Sequence, residues 1–497
     1  MAGAAGLTGP TLGIDLGTSG VKALLLDGDT VLATAQAPLA VSRPQPGWSE
    51  QDPEHWWAAT CACLDTLAAA QPKALRAVRA IGLAGQMHGA TLLDADGAVL
   101  RPAILWDDGR SAPQCTQLEA AVPTLRTITG NVAMPGFTAP KLLWVREHEP
   151  ALFARVRRVL LPKAWLRWRL AGEAIEEMSD ASGTLWLDVA QRCWSTRLLA
   201  ACGLEPGQMP RLVEGTAPAG QLRAEWVRRW GFDHVPILAG GAGDNAAGAV
   251  ALGAVAPGDA FLSLGTSGVL WVTTAQHAPA PERGVHAFCH ALPQTWHQMG
   301  VMLSAAASLA WWAGCSGRDE AELLGELPAA AEAPSPCWFV PYLSGERTPH
   351  NDASVRGGFL RLGSATTRAQ MTQAVLEGVA FTFRDARDAL ASAGTRLASA
   401  DLIGGGARSD LWCDVLANML GVPLRRVDGA AHGPALGGAR LAQAALTGRT
   451  DFPRPTSGRV FEPRPALVHR YDDAHARWAD LYPLVRRVPG AAPDTAP

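Results

Sequence analysis

The sequence lacks the features that mark secreted, membrane-spanning or nucleic-acid-binding proteins. Its nine cysteines are scattered, and the closest pair, Cys61 and Cys63, points apart on a helix-like segment, so neither a disulfide framework nor a zinc site is indicated. The N-terminus has no basic region followed by an apolar stretch, which argues against a signal peptide. The most apolar long stretch, 235–256, contains Asp244, Asn245 and several glycines and makes a poor membrane span.

The charge balance argues against nucleic-acid binding, because the net charge of -3 provides no basic excess of the kind that duplex binders concentrate on one face. Free thiols are typical of a reducing compartment. We therefore expect a cytoplasmic protein that binds neither nucleic acid nor a membrane.

The length of the chain predicts two domains with a cleft between them. A chain of 497 residues, 48% of them apolar, exceeds one ordinary hydrophobic core. A glycine-rich stretch at 240–257 could serve as a hinge, so the predicted domains are 1–245 and 246–488. The segment 489–497, rich in proline and alanine, is predicted to be a disordered tail.

A five-residue string occurs twice, about half a chain apart. Leu-Gly-Thr-Ser-Gly stands at 16–20 and again at 264–268, each time between two apolar runs, which predicts strand, tight turn and strand. Helix-like segments such as 56–70 and 371–390 alternate with these strands, as in an α/β protein. The repeat indicates a duplicated fold, and the alternative is a chance recurrence of common residues.

The first copy of the turn has the residue types that hold phosphate. Backbone amides and the hydroxyls of Thr18 and Ser19 can cradle phosphate oxygens, and Asp15 can hold a hydrated magnesium ion. No Walker lysine follows. The alternative is an ordinary hairpin with a capping aspartate. A second turn at Gly265 and Thr266, facing the first across a cleft, would grip a polyphosphate from both sides.

Asp244 and Asn245 stand in a run of very small residues at 240–248. A carboxylate at the end of such a run can accept a hydroxyl proton and orient the oxygen for attack on phosphorus. The alternative is a structural aspartate that caps the following helix.

Two further glycine-flanked segments end strand-like runs. Gln86, Met87 and His88 combine an amide, a thioether and an imidazole that suit sugar hydroxyls and a carbon face, although such a histidine can also be structural. The turn 404–410 feeds a helix whose N-terminus favours an anion or a nucleotide, and many βα turns look similar. Polar loops at 106–110 and 345–349 are interpreted as structural or domain-closure contacts.

Taken in order along the chain, these strings resemble the FGGY carbohydrate kinases. The match covers nearly the whole chain, and 47–53 (Gly-Trp-Ser-Glu-Gln-Asp-Pro) and 345–349 (Gly-Glu-Arg-Thr-Pro) extend it. The resemblance implies an α/β fold of two actin-like, ribonuclease-H-like (ASKHA) domains with an interdomain cleft. Sugar would bind the N-terminal domain and nucleotide the C-terminal one.

The resemblance also implies roles for individual residues. Asp244 would be the catalytic base, and Asp15 the second catalytic residue, with both at the magnesium ion. Met87, His88, Asp244 and Asn245 would contact the sugar. The implied nucleotide contacts are Thr18, Ser19, Gly265, Thr266, Gly405, Gly406, Ala407 and Arg408. The expected reaction moves the γ-phosphoryl group of ATP to O5 of a small ketose, D-xylulose.

Two alternatives stay open at this stage. The chain could phosphorylate another sugar or polyol, such as ribulose, gluconate or glycerol, or it could be a catalytically silent sugar-binding regulator. A homodimer is suggested by the resemblance alone. Asn418 departs from the family pattern, because many relatives are expected to carry an acidic residue there, which puts a nucleotide-side role for this position in doubt.

Overall fold

Two mixed seven-stranded sheets, one in each half of the chain, form the framework of the molecule. The structure is a computed structural model, and it describes residues 9–428 and 432–488. The predicted tail at 489–497 lies outside the described residues. No helix in the described part of the chain is long and apolar enough to cross a membrane.

The strands are β1 Thr11–Leu16, β2 Gly20–Asp27, β3 Thr30–Pro38, β4 Glu50–Gln51, β5 Ala80–Gly85, β6 Thr91–Leu93, β7 Ala103–Ile104, β8 Arg158–Leu160, β9 Ile175–Glu177, β10 Leu187–Asp188, β11 Cys193–Trp194, β12 Arg211–Val213, β13 Pro218–Gln221, β14 Ile237–Ala239, β15 Ala242–Gly243, β16 Ala260–Leu264, β17 Gly268–Thr274, β18 His286–Cys289, β19 Trp296–Met302, β20 Trp338–Val340, β21 Gly358–Leu360, β22 Ala400–Ile403, β23 Leu424–Val427 and β24 Gly458–Phe461.

The α-helices are α1 Pro53–Ala70, α2 Pro72–Arg76, α3 Ala112–Ala121, α4 Leu125–Thr129, α5 Thr138–His148, α6 Pro150–Phe153, α7 Pro162–Ala171, α8 Met178–Ser182, α9 Thr196–Ala201, α10 Ala224–Trp230, α11 Asp244–Leu252, α12 Ala306–Ser316, α13 Glu320–Gly325, α14 Arg368–Ser392, α15 Asp410–Leu420, α16 Gly433–Thr447, α17 Pro465–Ala479 and α18 Leu481–Val485. Single 3₁₀ turns occur at Pro206–Gln208, Pro281–Arg283 and Gly405–Arg408.

The two large sheets have the same topology. The first runs β13-β14-β5-β1-β2-β3 with β15 beside β5, and the second runs β18-β19-β17-β16-β22-β23-β24. In each, the strand before the repeated turn pairs antiparallel with the strand after it and parallel with a later strand, β5 or β22. The duplicated α/β fold predicted from the repeated turn is confirmed.

The apolar residues form separate cores in the two halves and a third core between them. Strands β1 and β5 are buried along their full length, as expected for central strands covered on both faces. The core between the halves joins Leu142 and Val250 to Phe261, Trp271 and Phe288 of the second sheet. Apolar contact therefore connects the two halves directly beside the cleft.

Two helices, α11 and α16, cross each other where the halves meet, and glycines make this crossing possible. Although α16 belongs to the C-terminal half of the chain, it packs on β1 and β5 of the first sheet. A Cβ on Gly437 would overlap the carbonyl oxygen of Ala247 in α11, and one on Gly13 or Gly82 would overlap the backbone of α16. Backbone meets backbone here, which only glycine allows.

The segment predicted as a hinge, 240–257, contains β15 and α11 in the structure. The connection between the halves is therefore a packed strand and helix. The domain boundary at 245/246 stays a prediction.

We expect Gly437→Ala to destabilise the protein by about 1 to 3 kcal/mol, because the new methyl group has no space at the crossing. The matched control is Gly248→Ala in α11, where a Cβ would meet nothing within 4 Å. This control should be neutral or stabilising by about 0.5 to 1 kcal/mol. Thermal unfolding of both variants and of wild type measures the difference, and equal melting temperatures would contradict a backbone-limited crossing.

Candidate active site

Three strands of the first sheet bring the predicted N-terminal site residues to one edge. β1, β5 and β15 run parallel, with Leu16 opposite Gly85 and Gly243 also opposite Gly85. Asp15 is the next-to-last residue of the first of these strands, Gln86 to His88 follow the second, and Asp244 follows the third. Carboxyl ends of parallel strands are the usual place for a site in such sheets.

Two carboxylates, Asp15 and Asp244, dominate the electrostatics of this edge. Asp15 is buried, and its Oδ1 has no hydrogen-bond partner among the described residues. Burial raises the pKa of Asp15 to about 7, with the charge of Asp244 as the next cause and Lys22 opposing both. Burial likewise raises the pKa of Asp244 to about 6, against hydrogen bonds from Asn245. Such perturbed carboxyl groups are typical of functional sites.

Asp244 is the first residue of α11, and its Oδ1 accepts hydrogen bonds from the backbone and side-chain nitrogens of Asn245 at 2.7 and 3.1 Å. The N-cap of the helix is Gly243, and no side chain caps it there. Asp244 is therefore not the N-cap residue itself, although its carboxylate accepts one backbone N–H of the first turn, and no hydrogen bond to its Oδ2 is found among the described residues.

His88 forms one wall of the predicted sugar pocket. Its ring lies edge-on to Phe137, with centroids 4.9 Å apart, and 6.4 Å from the ring of Phe288, which belongs to the second sheet. Nδ1 lies 2.7 Å from the carbonyl oxygen of Gly183, so Nδ1 donates and Nε2 is left as an acceptor. Burial, and then the charge of Lys141, lowers the pKa of His88 to about 3. A neutral imidazole with a bare Nε2 suits a sugar hydroxyl.

Lys141 supports the backbone of the same wall and was not identified from the sequence. Its buried Nζ donates to the carbonyl oxygens of His88 at 3.0 Å and of Gly136 at 2.6 Å. Burial lowers its pKa to about 7. No local motif marks this lysine, because it reaches His88 from 53 positions along the chain.

Thr18, predicted to contact nucleotide, is tied to the sugar-side motif. Its Oγ1 donates to Oε1 of Gln86 and accepts from Nε1 of Trp106, both at 3.0 Å. Gln51 completes the network by donating to the carbonyl oxygen of Thr18 at 2.7 Å and accepting from Gln86 at 3.0 Å. Gln51 lies in the segment 47–53, which extends the family resemblance, and Trp106 lies in the loop 106–110, which the sequence marked as a structural or closure contact. No other sequence feature indicated these two residues.

The predicted C-terminal nucleotide residues also come together at one sheet edge. Gly265 and Thr266 follow β16, and the 3₁₀ turn Gly405–Arg408 follows its parallel neighbour β22. Gly404 has φ 97° and lies so close to the backbone of Leu264 that a Cβ would stand 2.6 Å from it. A Cβ on Gly405 would meet nothing within 4 Å, so the turn faces open space.

A cavity of about 470 Å³ extends behind Asp244. Asp244 and Asn245 line it together with Phe261, Ser263 and Ile403 from the second sheet. The first two residues of α11 therefore lie after a strand of the first sheet and also face a cavity that residues of the second sheet line.

Asn418 does not belong to either group. It is fully buried in α15, where its Nδ2 donates to the carbonyl oxygen of Asp414 at 2.7 Å and its Oδ1 accepts from the backbone nitrogen of Arg464 at 2.8 Å. Its amide therefore joins α15 to the residue before α17, which is a structural role.

Comparison with known proteins identifies the relatives of this arrangement. The N-terminal domain model of the FGGY family of carbohydrate kinases matches residues 11–251, and its C-terminal domain model matches residues 260–446. The chain belongs to the FGGY family of carbohydrate kinases. The actin-like two-domain fold implied by the resemblance is thereby confirmed, and this FGGY kinase is an enzyme of carbohydrate metabolism.

Individual relatives match almost end to end. The xylulose kinase of Escherichia coli (strain K12) is 53% identical over 437 residues, which cover 87% of this chain and 90% of the relative. The xylulose kinase of Klebsiella pneumoniae is 49% identical over 93% of this chain and 94% of its own. A crystal structure described as a xyloylose kinase from Brucella ovis superposes with a TM-score of 0.94 at 52% identity, covering 97% of this chain and 100% of that one.

We expect His88 to stay neutral, with its proton on Nδ1, from about pH 5 to about pH 8, because a pKa lowered to about 3 places protonation below that window. Nitrogen NMR of the imidazole should show one unchanged tautomer over this range. A titration step near the ordinary histidine pKa would contradict the assignment.

His88→Ala should raise the KM for the sugar by about 10-fold to 100-fold and leave the KM for ATP unchanged, since one hydrogen bond and an apolar wall are lost. His469→Ala, at an exposed position of α17, is the matched control and should change neither constant. An equal rise in both KM values would place His88 outside the sugar pocket.

Proposed function

We propose that this FGGY kinase transfers the γ-phosphoryl group of ATP to O5 of D-xylulose. The observation that carries the proposal is the raised-pKa carboxyl of Asp244, which follows a strand paired directly with the one that leads to Met87 and His88. The proposed base and the proposed sugar contacts therefore follow two paired strands, β15 and β5. The names of the relatives at 53% and 49% identity support D-xylulose as the acceptor.

Asp244 acts as the general base in this proposal. With a pKa of about 6, the carboxylate is mostly ionised at neutral pH and still basic enough to take a hydroxyl proton as the phosphorus–oxygen bond forms. The Asn245 hydrogen bonds occupy Oδ1 and leave Oδ2 for the sugar hydroxyl. His88 accepts a second hydroxyl at Nε2, and Met87, only 6% exposed, covers a carbon face of the sugar.

The residues present fit a magnesium ion. Asp15 has a buried Oδ1 without a partner among the described residues, and carboxylate oxygens are the hard ligands that this ion prefers. We assign Asp15, with Asp244 beside it, to hold the ion, which when bound neutralises charge on the phosphates. A positive charge there would also offset the mutual repulsion that now raises the pKa of Asp15.

The nucleotide is assigned to the edge of the second sheet. Gly265 and Thr266 present backbone and hydroxyl groups to phosphate. The open face at Gly405 leaves room for a flat base, and Gly406, Ala407 and Arg408 complete the same turn. Thr18 and Ser19 supply the opposing phosphate contacts. Ser19 is exposed and ready for this role, whereas Thr18 would first exchange a hydrogen bond now made to Gln86.

The other candidates are less well supported. A silent regulator has no need for two buried carboxyl groups with raised pKa values at one sheet edge, since burying such groups costs free energy. Ribulose, gluconate and glycerol remain the competing acceptors within the same mechanism. A homodimer and a cytoplasmic location stay predictions, the first to be checked by light scattering of the purified chain.

Asp244→Asn should lower kcat by about 10²-fold to 10⁴-fold, because an amide cannot accept the hydroxyl proton, while ATP binding stays near that of wild type. ADP release coupled to a second enzyme measures turnover, and calorimetry measures ATP binding. Asp473→Asn, at an exposed position of α17, is the control that should behave as wild type. Undiminished turnover in Asp244→Asn would remove this residue from the mechanism.

The acceptor is tested by the same assay across D-xylulose, D-ribulose, L-ribulose, L-xylulose, gluconate and glycerol. We expect the highest kcat/KM with D-xylulose. A higher value with another acceptor would keep the mechanism and discard the substrate, and no turnover with any of them would favour the regulator.

A further inference from the structure

One short helix, α8, contacts three separate parts of the site. Glu177, the N-cap of this helix, accepts a hydrogen bond from the backbone nitrogen of Gly243, the residue before Asp244, at 3.1 Å. Gly183, directly after the helix, accepts the Nδ1 hydrogen bond of His88. Ser182 accepts from the backbone nitrogen of Cys289 in β18 at 3.0 Å. The helix and its two flanking residues therefore contact the residue before Asp244, the ring of His88 and the second sheet.

The carboxylate of Glu177 accepts more hydrogen bonds than the two that cap the helix. Besides Gly243, it accepts from the backbone nitrogen and hydroxyl of Ser179 at 2.7 and 2.8 Å and from the backbone nitrogen of Asp180 at 2.8 Å. The side chain is fully buried. Four donors on one buried carboxylate fix its position.

A buried lysine completes this arrangement. Nζ of Lys163 pairs with Glu176 and lies 3.6 Å from a Glu177 oxygen and 3.5 Å from an Asp180 oxygen. Such a cluster is expensive to bury, and replacing it by apolar residues would often stabilise a protein. The cluster contacts the backbone of Gly243, the residue before Asp244, and this contact indicates a role other than stability.

The backbone at Gly243 leaves little freedom for the residue that follows. Strand β15 has only two residues, and Gly243 pairs with Gly85, from which the sugar motif begins. A Cβ on Gly243 would stand 3.0 Å from the Met87 side chain, so the chain is packed on that face as well. The hydrogen bonds from the Gly243 nitrogen to Glu177 and to Oγ of Ser179, at 3.1 and 3.0 Å, fix its other side.

We infer that Glu177 is a positioning residue, which holds the backbone nitrogen of Gly243 so that the Asp244 carboxylate points at the acceptor hydroxyl. Glu177 itself touches neither substrate. The inference rests on the proposed role of Asp244. Loss of this hydrogen bond lets the Asp244 carboxylate shift, and a displacement of about 1 Å at a reacting group can cost about 10²-fold in rate. The loss therefore lowers kcat. Sugar binding through His88 is kept.

The test compares two neighbouring buried carboxylates that belong to the same cluster. Glu177→Gln replaces the carboxylate that accepts from the Gly243 nitrogen with an amide, which can place its NH₂ group opposite that nitrogen. Glu176→Gln removes a charge that contacts Lys163 but not Gly243. Both variants should lose thermal stability to a similar extent. With D-xylulose and Mg-ATP, Glu177→Gln should lower kcat by about 10-fold to 100-fold. Its two KM values should stay within about 3-fold of wild type, and Glu176→Gln should keep the wild-type kcat.

Ser179→Ala is the second variant, since it removes one of the two acceptors of the Gly243 nitrogen and keeps the other. It should lower kcat by a smaller factor than Glu177→Gln, and it serves alone if Glu177→Gln does not fold. An unchanged kcat in the folded variants, or an equal loss in Glu176→Gln and Glu177→Gln, would reduce the cluster to a structural role. If Asp244→Asn keeps its turnover, the proposed function fails; if Asp244→Asn is inactive and Glu177→Gln is normal, only the positioning role fails.

Discussion

The contact on which the rest of the structure depends is the backbone-to-backbone crossing of α11 and α16 on the first sheet. At positions 13, 82, 437 and 438 a Cβ would collide with the backbone of the neighbouring element, so glycine there permits the close approach. Because α11 begins at Asp244, the depth of this packing sets how close Asp244 stands to Asp15 and to the sugar wall. The same crossing carries a helix of the C-terminal half onto the N-terminal sheet, so both halves share one centre.

The electrostatics of the candidate site follow from two carboxyl groups that are buried without a full set of partners among the described residues. The carboxyl groups of Asp15 and Asp244 are removed from water, which raises the pKa of both, and the charge of Asp244 raises the pKa of Asp15 further. By contrast, the carboxylate of Glu177 receives four hydrogen bonds and the nearby charge of Lys163. The candidate catalytic carboxylates and the carboxylate of Glu177 therefore differ in the number of hydrogen-bond donors that the fold supplies to each.

Much of the fold and the site could be predicted because the relevant signals are local. The repeated Leu-Gly-Thr-Ser-Gly turn predicted the duplicated sheet, and glycine-flanked Asp244 and His88 marked strand ends that the structure places side by side. Lys141, Glu177 and Phe288 could not be identified in this way. Their contacts with the site join positions far apart in the chain, and each residue type is ordinary in its own segment. Asn418 shows the converse, since a departure from a family pattern proved to be a buried structural amide.

The sequence by itself determined the α/β class, the duplication and the kinase family, and it marked Asp15 and Asp244 as candidate site residues, because turns, strand ends and glycine runs are read from neighbouring residues. Only the tertiary structure decided the raised pKa values of those aspartates, the tautomer of His88 and the hydrogen bonds of the Gly243 nitrogen to Glu177 and Ser179. These properties depend on burial and on donors from distant segments. A pKa or a tautomer is a property of an environment, and the environment exists only when the chain is folded.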